Sequence, residues 1–161
     1  MVLNYNSEME KVLKMLGNSK SMVLATSSQG HTTARMVSCI IYDNKIVFQT
    51  SSDTVKYKQL VENPQVALCF DPISLEGISK VVGHPFLESN KAIAELYEKY
   101  CKGSFDTYSY MRTNAFIEVS ITFITIWGYD NGEPYRTLID TQLKLAIKEM
   151  YDYSDRILRD K

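Results

Sequence analysis

The stretch FQTSSDTVKYKQLVENPQVALCF, residues 48–70, contains the boundary between a strand and a helix. Its first residues are typical of a β-strand, and this strand ends in three consecutive hydroxyl residues, 50–52. A short helix follows, carries Lys56 in its first turn and ends before Pro64, because the residue before a proline is pushed out of helical geometry. Hydroxyls, a helix start and a lysine fit a solvated turn, and they also fit a phosphate-binding site.

The composition limits the class of protein. The chain has 161 residues, 45% of them hydrophobic and 23% charged, which suits one soluble domain with a sizeable core. A net charge of −1 argues against a nucleic-acid binder. No apolar run approaches the roughly 20 residues that cross a bilayer. Three widely spaced cysteines without a CxxC pair give no metal site, and together these features predict a reduced, cytoplasmic protein.

The pattern of the rest of the chain predicts a β-rich α+β fold. A tight-turn signal at 43–45 joins two strands, so the first three strands form a meander. So many strands in so short a chain usually close into a barrel of six to seven mostly antiparallel strands, with helices flanking it. Strands are predicted at 21–27, 32–42, 46–50, 65–70, 78–84, 114–120 and 122–128, and helices at 7–16, from 52–54 to 63, at 89–101 and at about 138–159, around a barrel core of about 20–130 in a single domain of residues 1–161.

Arg35 is a charged residue in the middle of an apolar strand. Such an arginine must reach solvent, pair with an acid or bind an anion, since an unpaired buried charge is very costly. The meander predicts that Thr50 pairs near the start of strand 32–42, within reach of Arg35. On its own, Arg35 fits an edge residue that extends to water equally well.

A second group of residues favours the anion. Arg35 and Lys56 supply a planar guanidinium and a point charge, the two side chains that most often bind phosphate. The hydroxyls of Thr50, Ser51 and Thr54 and the N-terminus of the helix would complete a monophosphate site. Neither GxGxxG nor GxxxxGK[ST] occurs, so we expect the ligand to be held by strands and one helix start.

These residues carry a resemblance to a known family. The pattern LATS…ARMVSCIIYDNKIVFQTSSDTVKYKQLVENPQVAL resembles the core of the pyridoxamine 5'-phosphate oxidase-like, FMN-binding split β-barrel family. An Arg-x-Val strand, a strand ending in Thr, a Ser/Thr-x-Lys helix start and an NP-x-VAL strand occur in the family's order. The match is specific over about residues 22–71 and looser up to Trp127.

The resemblance implies FMN bound at the interface of a homodimer. Arg35, Thr50, Ser51, Thr54 and Lys56 match the positions that hold the phosphate and ribityl chain. Trp127 falls where the family often places an aromatic residue from the partner subunit, and it also fits a core or interface tryptophan. The positions expected to line the isoalloxazine are Met36, Val37, Ser38 and Gln49. Gln49 also fits an edge-strand amide that faces water.

The chain departs from the pyridoxamine phosphate oxidases proper at three places. Ile40 stands where they carry a lysine, and Val55 stands where they carry an arginine before the conserved lysine. Their C-terminal Arg-x-His substrate motif has no counterpart after Trp127. We therefore expect a flavin binder that does not oxidise pyridoxamine phosphate.

The functional prediction is an FMN-dependent oxidoreductase of small molecules, with NAD(P)H as a possible electron donor. The alternative is a non-catalytic FMN-binding, electron-transfer or redox-sensing module, because no catalytic residue can be assigned from the sequence. A deazaflavin would also fit the phosphate site, whereas haem would need an axial ligand that the sequence does not supply. The aromatic segment 104–112 fits either a wall of the substrate pocket or a dimer contact through Tyr108 and Tyr110.

Overall fold

The computed structural model describes residues 1–152, and in that range the protein has nine strands and four α-helices. A short 3₁₀ helix, Glu88–Asn90, precedes the third α-helix. The strands are β1 (Val2–Leu3), β2 (Ser19–Ser28), β3 (His31–Tyr42), β4 (Lys45–Ser51), β5 (Gln65–Phe70), β6 (Ile73–Gly83), β7 (Asn114–Asp130), β8 (Glu133–Asp140) and β9 (Leu145–Met150), and the helices are α1 (Tyr5–Leu16), α2 (Val55–Glu62), α3 (Lys91–Tyr100) and α4 (Lys102–Tyr108).

Six of the strands close into an antiparallel barrel in the order β7-β4-β3-β2-β5-β6, with β6 pairing back to β7. The ring closes through β7, whose first residues pair with β4 and whose middle residues pair with β6. Its last residues pair with β8, so β8, β9 and β1 extend the sheet beyond the barrel. The predicted split barrel with flanking helices is therefore confirmed. The predicted strands 114–120 and 122–128 are one continuous strand.

Two tight turns produce the predicted meander of β2, β3 and β4. Gln29 and Gly30 join β2 to β3 with φ of 48° and 77°, and Asp43 and Asn44 join β3 to β4 with φ of 49° and 58°. Two successive residues with positive φ are the geometry of a type I′ turn, which matches the twist of the flanking strands. Asn, Asp and Gly adopt this conformation most readily, so the turns follow directly from the sequence.

The barrel interior is filled by alternate side chains of its strands. Met22 and Leu24 of β2, Phe48 of β4 and Ile117 of β7 are fully buried there. A β-bulge between Glu76 and Gly77 brings β6 close to β7. A Cβ at Gly77 would lie 2.5 Å from the Val119 side chain and 2.7 Å from the backbone oxygen of Ser120, so this approach requires glycine.

The opposite face of β3, β4 and β7 is covered by α3 and α4. Ile40 of β3, Val47 of β4 and Phe116 of β7 form a second buried cluster with Tyr97 of α3 and Phe105 of α4. The helical pattern predicted at 89–101 is thus confirmed as α3, and its apolar stripe faces the barrel. This second layer creates the space between strands and helices in which the candidate site lies.

The helix predicted at about 138–159 is wrong over the part that the structure describes. Residues up to Asp140 belong to β8, and Leu145–Met150 form β9. The alternating buried side chains are Thr137 and Ile139 in β8, opposite Ala146 in β9, which is the period of a strand. Residues 153–161 lie outside the described range. The assignment of residues 1–161 to one domain stays a prediction.

None of the helices within residues 1–152 combines the length and the apolar character that a bilayer span requires.

Candidate functional site

The candidate site lies where the hairpin of β3 and β4 opens. The ladder between these strands stops at the pair Ile40–Val47. The same register would place Val37 opposite Thr50, but the two do not pair, and Thr50 pairs with Ala115 of β7 across the other edge of β4. The expectation that Thr50 pairs near the start of β3 is therefore wrong, because β4 follows the edge of β7 and leaves β3. A gap between the two strands is the result.

A cavity of about 680 Å³ fills this gap. Its volume lies within the range of about 300–1,000 Å³ that is usual for pockets binding small molecules and cofactors. It extends from the start of α2, between β3 and β4, to the surface of α3 and α4. The lining residues are Met36, Val37, Ser38, Gln49, Thr50, Ser51, Thr54, Lys56, Tyr97, Gly103, Ser104, Thr107, Tyr108, Met111 and Asn114.

Two cations lie close together at the α2 part of the cavity. Burial lowers the pKa of the Lys56 ammonium below its ordinary value, and the positive charge of Arg35 lowers it further. Burial also lowers the pKa of Arg35, although a guanidinium keeps its proton in proteins. Within residues 1–152 neither cation forms an ion pair with a carboxylate. Two neighbouring like charges without an acid partner favour the binding of an anion.

Arg35 is held in place by a hydrogen-bond network. Its guanidinium donates to the hydroxyl of Thr26 at 2.7 Å and to that of Thr33. Both hydroxyls donate in turn to Oε1 of Gln59, at 2.6 and 2.7 Å. The network joins β2, β3 and α2. Arg35 itself is not part of the cavity lining, so it acts on the cavity through its charge.

The hydroxyl groups mainly fix the start of α2. Oγ1 of Thr54 accepts from the backbone N–H of Tyr57 at 3.3 Å and donates to the backbone oxygen of Ser51 at 2.8 Å. Its only proton is then used, so Thr50 donates in the 2.9 Å bond between the two threonine hydroxyls. Oγ of Ser51 lies 2.7 Å from Oγ1 of Thr113. The free N–H groups of the first helical turn add to the attraction for an anion.

A second part of the cavity is neutral and centred on Gln49. Its Nε2 donates to the backbone oxygen of Ser104 at 2.8 Å and to the Ser104 hydroxyl at 3.0 Å. Its Oε1 accepts from Oγ of Ser109 at 2.9 Å and from Nδ2 of Asn114 at 2.6 Å. Gln49 is 8% exposed, so the interpretation of an edge amide facing water is wrong.

The helices α3 and α4 form the cover of the cavity. The hydroxyl of Tyr97 in α3 donates to the backbone oxygen of Ser38 at 2.8 Å and lies 3.3 Å from Oγ of Ser104. Burial raises the pKa of Tyr97, so its hydroxyl keeps the proton that it donates. The segment 104–112 forms a wall of the cavity, as one of its two interpretations predicts, through Ser104, Thr107, Tyr108 and Met111.

The sequence matches the family model described as pyridoxamine 5'-phosphate oxidase over residues 8–128. The chain belongs to the pyridoxamine 5'-phosphate oxidase-like split-barrel family. No curated protein matches the sequence.

Solved structures of this family have the same fold at low sequence identity. A NimC/NimA family protein from Clostridium acetobutylicum is 15% identical with a TM-score of 0.56, over 92% of this chain and 96% of that one. PhzG from Burkholderia lata, in complex with tetrahydrophenazine-1-carboxylic acid, is 11% identical with a TM-score of 0.61, over 91% of both chains. A heme-binding protein from Mycobacterium smegmatis is 15% identical with a TM-score of 0.60, over 81% of this chain and 57% of that one. At such identities the likeness establishes the split-barrel fold.

The predicted site residues fall into three groups. Arg35 lies behind the cavity and Trp127 lies away from it. Trp127 is 43% exposed on β7, and its ring centroid is 5.5 Å from that of Tyr151. It therefore does not reach the cavity of its own chain. The structure brings the other eight together in the lining, namely Met36, Val37, Ser38, Gln49, Thr50, Ser51, Thr54 and Lys56.

Sequence reasoning did not single out the residues that the cover and β7 contribute. Tyr97 is one residue of an amphipathic helix, and Asn114 stands at the first position of a strand, so neither has a local signal of function. Their polar atoms become significant only through Gln49, which is distant in sequence. The lining residues not predicted individually are Tyr97, Gly103, Ser104, Thr107, Met111 and Asn114.

Two of the departures from the pyridoxamine phosphate oxidases proper have a clear structural setting. Ile40 is fully buried in the cluster beneath α3, where a lysine would be an unpaired buried charge. Val55 is exposed at the first position of α2 and is not part of the cavity lining. Within residues 1–152 no group of three His, Cys, Asp or Glu side chains could hold a metal ion.

Proposed function

We propose that the protein binds FMN in the cavity between β3, β4 and α4 and acts as a flavin-dependent oxidoreductase of a small molecule. The observation that carries this proposal is the pair Lys56 and Arg35, two cations beside a helix start that have no acid partner within residues 1–152. The family model that matches the chain, and the resemblance of its motifs to the FMN-binding members, support the same ligand.

The residues in the cavity fit the three parts of FMN. Lys56, with the charge of Arg35 behind it, suits the phosphate, and the hydroxyls of Thr50 and Ser51 suit the ribityl chain. The slot between Met36–Ser38 and Gln49 is lined by backbone and neutral side chains, which suits a planar ring that carries no full charge. The cavity volume of about 680 Å³ is sufficient for a ligand of this class.

Bound FMN would supply the hydride chemistry. The protein's own contribution in this proposal is to anchor the phosphate through Lys56, to orient the ring through Gln49 and to keep bulk water out with α3 and α4. Among the described residues, 1–152, no Asp, Glu, His or Cys belongs to the cavity lining, so no side chain is assigned as a catalytic acid or base.

The lack of an assigned catalytic acid or base supports a second candidate function, a non-catalytic FMN-binding or electron-transfer module. In the part of the chain that the structure describes, the titratable groups of the cavity lining are Lys56, Tyr97 and Tyr108, so the cavity can bind a flavin without a carboxylate or imidazole to act as acid or base. Steady-state turnover with NADH or NADPH and several acceptors separates the two functions. A rate well above that of free FMN supports the enzyme, and a rate equal to free FMN supports the binding module.

The test of the proposal is a titration with FMN, followed by its fluorescence and absorption. We expect quenching of flavin fluorescence and saturation at micromolar concentrations. Hemin and a deazaflavin are titrated in parallel, because structures with this fold include a heme-binding protein and a protein named F420 reductase. Absence of FMN binding, or tighter binding of hemin, would contradict the proposal.

We further propose that the protein is a homodimer with FMN at the interface and with Trp127 of the partner against the flavin. This rests on the family resemblance, and it is supported by Met36, which is 62% exposed at the edge of the cavity. Trp127 is the one tryptophan in the sequence, so its fluorescence is a clean signal. We expect FMN to quench it strongly in a dimer, and light scattering to give twice the chain mass of 18.4 kDa. A monomer that binds FMN without quenching would contradict this arrangement.

A further inference from the structure

Asn114 carries a buried oxygen without a hydrogen-bond partner. Asn114 is the first residue of β7, is 3% exposed and lines the cavity. Its Nδ2 donates to Oε1 of Gln49 at 2.6 Å, whereas no group within residues 1–152 donates to its Oδ1. Buried polar groups are nearly always paired, so an unpaired one lining a cavity requires an explanation.

The orientation of this amide follows from its neighbours. The backbone oxygen of Ser104 can only accept, so the side chain of Gln49 must turn its Nε2 toward it. The Oε1 of Gln49 then faces Asn114, and Asn114 must turn its own NH₂ group toward that oxygen. Its Oδ1 is thereby fixed as the remaining atom and can act only as an acceptor.

The donors and acceptors of the hydrogen bonds on the other side of Gln49 are fixed as well. The Tyr97 hydroxyl donates to the backbone oxygen of Ser38, so the Ser104 hydroxyl, 3.3 Å from it, donates to Tyr97. Nε2 of Gln49 donates to the Ser104 hydroxyl. Nε2 of Gln49 thus uses both of its protons on Ser104, and within residues 1–152 the series ends at Oδ1 of Asn114, an acceptor without a donor.

We propose that Oδ1 of Asn114 accepts a hydrogen bond from the imide N3–H of the flavin ring and so selects this ring. The proposal rests on the proposed function, because it names the group that recognises the ring. N3–H is the ring N–H that an oxidised isoalloxazine offers, and a deazaflavin carries the same group. Haem offers no such donor at its rim, because iron holds its ring nitrogens and its carboxylates only accept.

In this proposal the ring reaches Oδ1 after side chains of the cover move, because Oδ1 itself is shielded from solvent in the free protein. Tyr108 and Met111 belong to the lining and are 51% and 43% exposed, so they can move without opening the core. The remaining contacts of Gln49 hold the acceptor in place while they do so.

The experiment compares FMN with 3-methyl-FMN, in which the N3 proton is replaced, by titration of the wild-type protein and of Asn114→Ala. In the wild type we expect 3-methyl-FMN to bind at least roughly tenfold more weakly than FMN, because 3-methyl-FMN offers no donor to the buried Oδ1 of Asn114. In Asn114→Ala both flavins should bind within about twofold of each other. The N3–H signal of FMN labelled with ¹⁵N at N3 should be observable when bound to the wild type and lost in the variant.

Ser109→Ala is the matched control. Ser109 donates to the same Oε1 of Gln49 but does not line the cavity, so its loss should leave the preference for FMN unchanged. A melting temperature is measured for each variant, and Asn114→Leu, which removes the unpaired oxygen, should melt at the wild-type temperature or higher. FMN binding with no preference over 3-methyl-FMN in the wild type would overturn this inference alone. No FMN binding at all would overturn the proposed function and the inference with it.

Discussion

The two parts of the cavity interact with a ligand in different ways. At the start of α2, Lys56 and Arg35 act through charge, which extends over several ångströms and is screened by salt. Between β4 and β7, Gln49 and Asn114 act through amide hydrogen bonds, which are short and directional. In the proposed function, the charged part would therefore supply affinity for any phosphate ester, whereas the neutral part would distinguish one ring from another.

Both parts also leave the free protein with an unfavourable interaction. Lys56 lies beside a like charge, and Oδ1 of Asn114 has no donor within residues 1–152. Strained or unpaired groups of this kind are common at binding sites and lower stability there. Tyr97 differs, because its hydroxyl is fully used in tying α3 to β3. We therefore expect the first two residues to matter for binding and Tyr97 to matter for stability.

The largest effect is expected for Lys56→Ala. Loss of a charge-assisted contact to a phosphate costs about 1.5–3 kcal/mol, which weakens FMN binding roughly 10- to 150-fold. Riboflavin has no phosphate, so its affinity should change little. Isothermal titration or fluorescence quenching with both flavins measures the difference.

Lys58→Ala is the control for this substitution. Lys58 lies on the same helix, two residues further on, and is exposed outside the cavity. It changes the net charge by the same amount, so any general effect of charge appears in both variants. Equal losses in the two variants, or an equal loss for riboflavin in Lys56→Ala, would mean that the phosphate does not bind at the start of α2.

A smaller effect, on stability, is expected for Tyr97→Phe. The change removes a buried hydroxyl and leaves the backbone oxygen of Ser38 without its donor, which costs about 1–3 kcal/mol. For a domain of this size each kcal/mol lowers Tm by about 2–4 °C. Tyr100→Phe, at the half-exposed end of the same helix, is the matched control and should leave Tm unchanged. An unchanged Tm in Tyr97→Phe would show that this hydroxyl does not hold the cover on the barrel.

Much of the charged part could be predicted from the sequence because its residues are close together along the chain. Thr50, Ser51, Thr54 and Lys56 span one strand end and one helix start, and the proline that ends the helix fixes its length. The neutral part could not be predicted, because Gln49 and Asn114 are 65 residues apart and meet only when β4 pairs with β7. The expected pairing of Thr50 with β3 is wrong for a similar reason, since β4 continues along β7 on its other edge and leaves β3 after the pair Ile40–Val47.

The C-terminal error has a local cause. The sequence predicts a helical stripe through Leu143, Ile147, Met150 and Ile157, the last of which lies outside the described residues, yet Leu143 is exposed in the turn between β8 and β9. That turn contains neither glycine nor proline. It is held instead by the carboxylate of Asp140, which accepts from the backbone N–H groups of residues 142 and 143. Such a turn has no strong sequence signal, so the strand pattern on either side was read as one helix.

The smallest expected effect is a dependence of FMN affinity on alkaline pH. Burial and the Arg35 charge place the pKa of Lys56 below its ordinary value of 10.5. FMN affinity should therefore fall as the pH rises through this lowered pKa, because a neutral amine attracts phosphate weakly. A bound phosphate raises the pKa of Lys56, so the decline extends from the lower pKa of the free protein to the higher pKa of the complex, and only a few-fold part of it falls within about half a pH unit of its onset. Titrations above about pH 7.5 avoid the second ionisation of the phosphate, which lies near pH 6.

The free protein should show the opposite sign. The unfolded chain keeps the Lys56 proton up to the ordinary pKa, so between the two pKa values the unfolded state binds more protons and the free energy of unfolding rises with pH. Lys56→Arg keeps the charge at all these pH values, and it should remove both the decline in FMN affinity and this rise in stability. If Lys56→Arg and the wild type give the same pH profiles, then Lys56 does not titrate in this range. The charged part of the cavity would then depend on pH no more than the neutral part does.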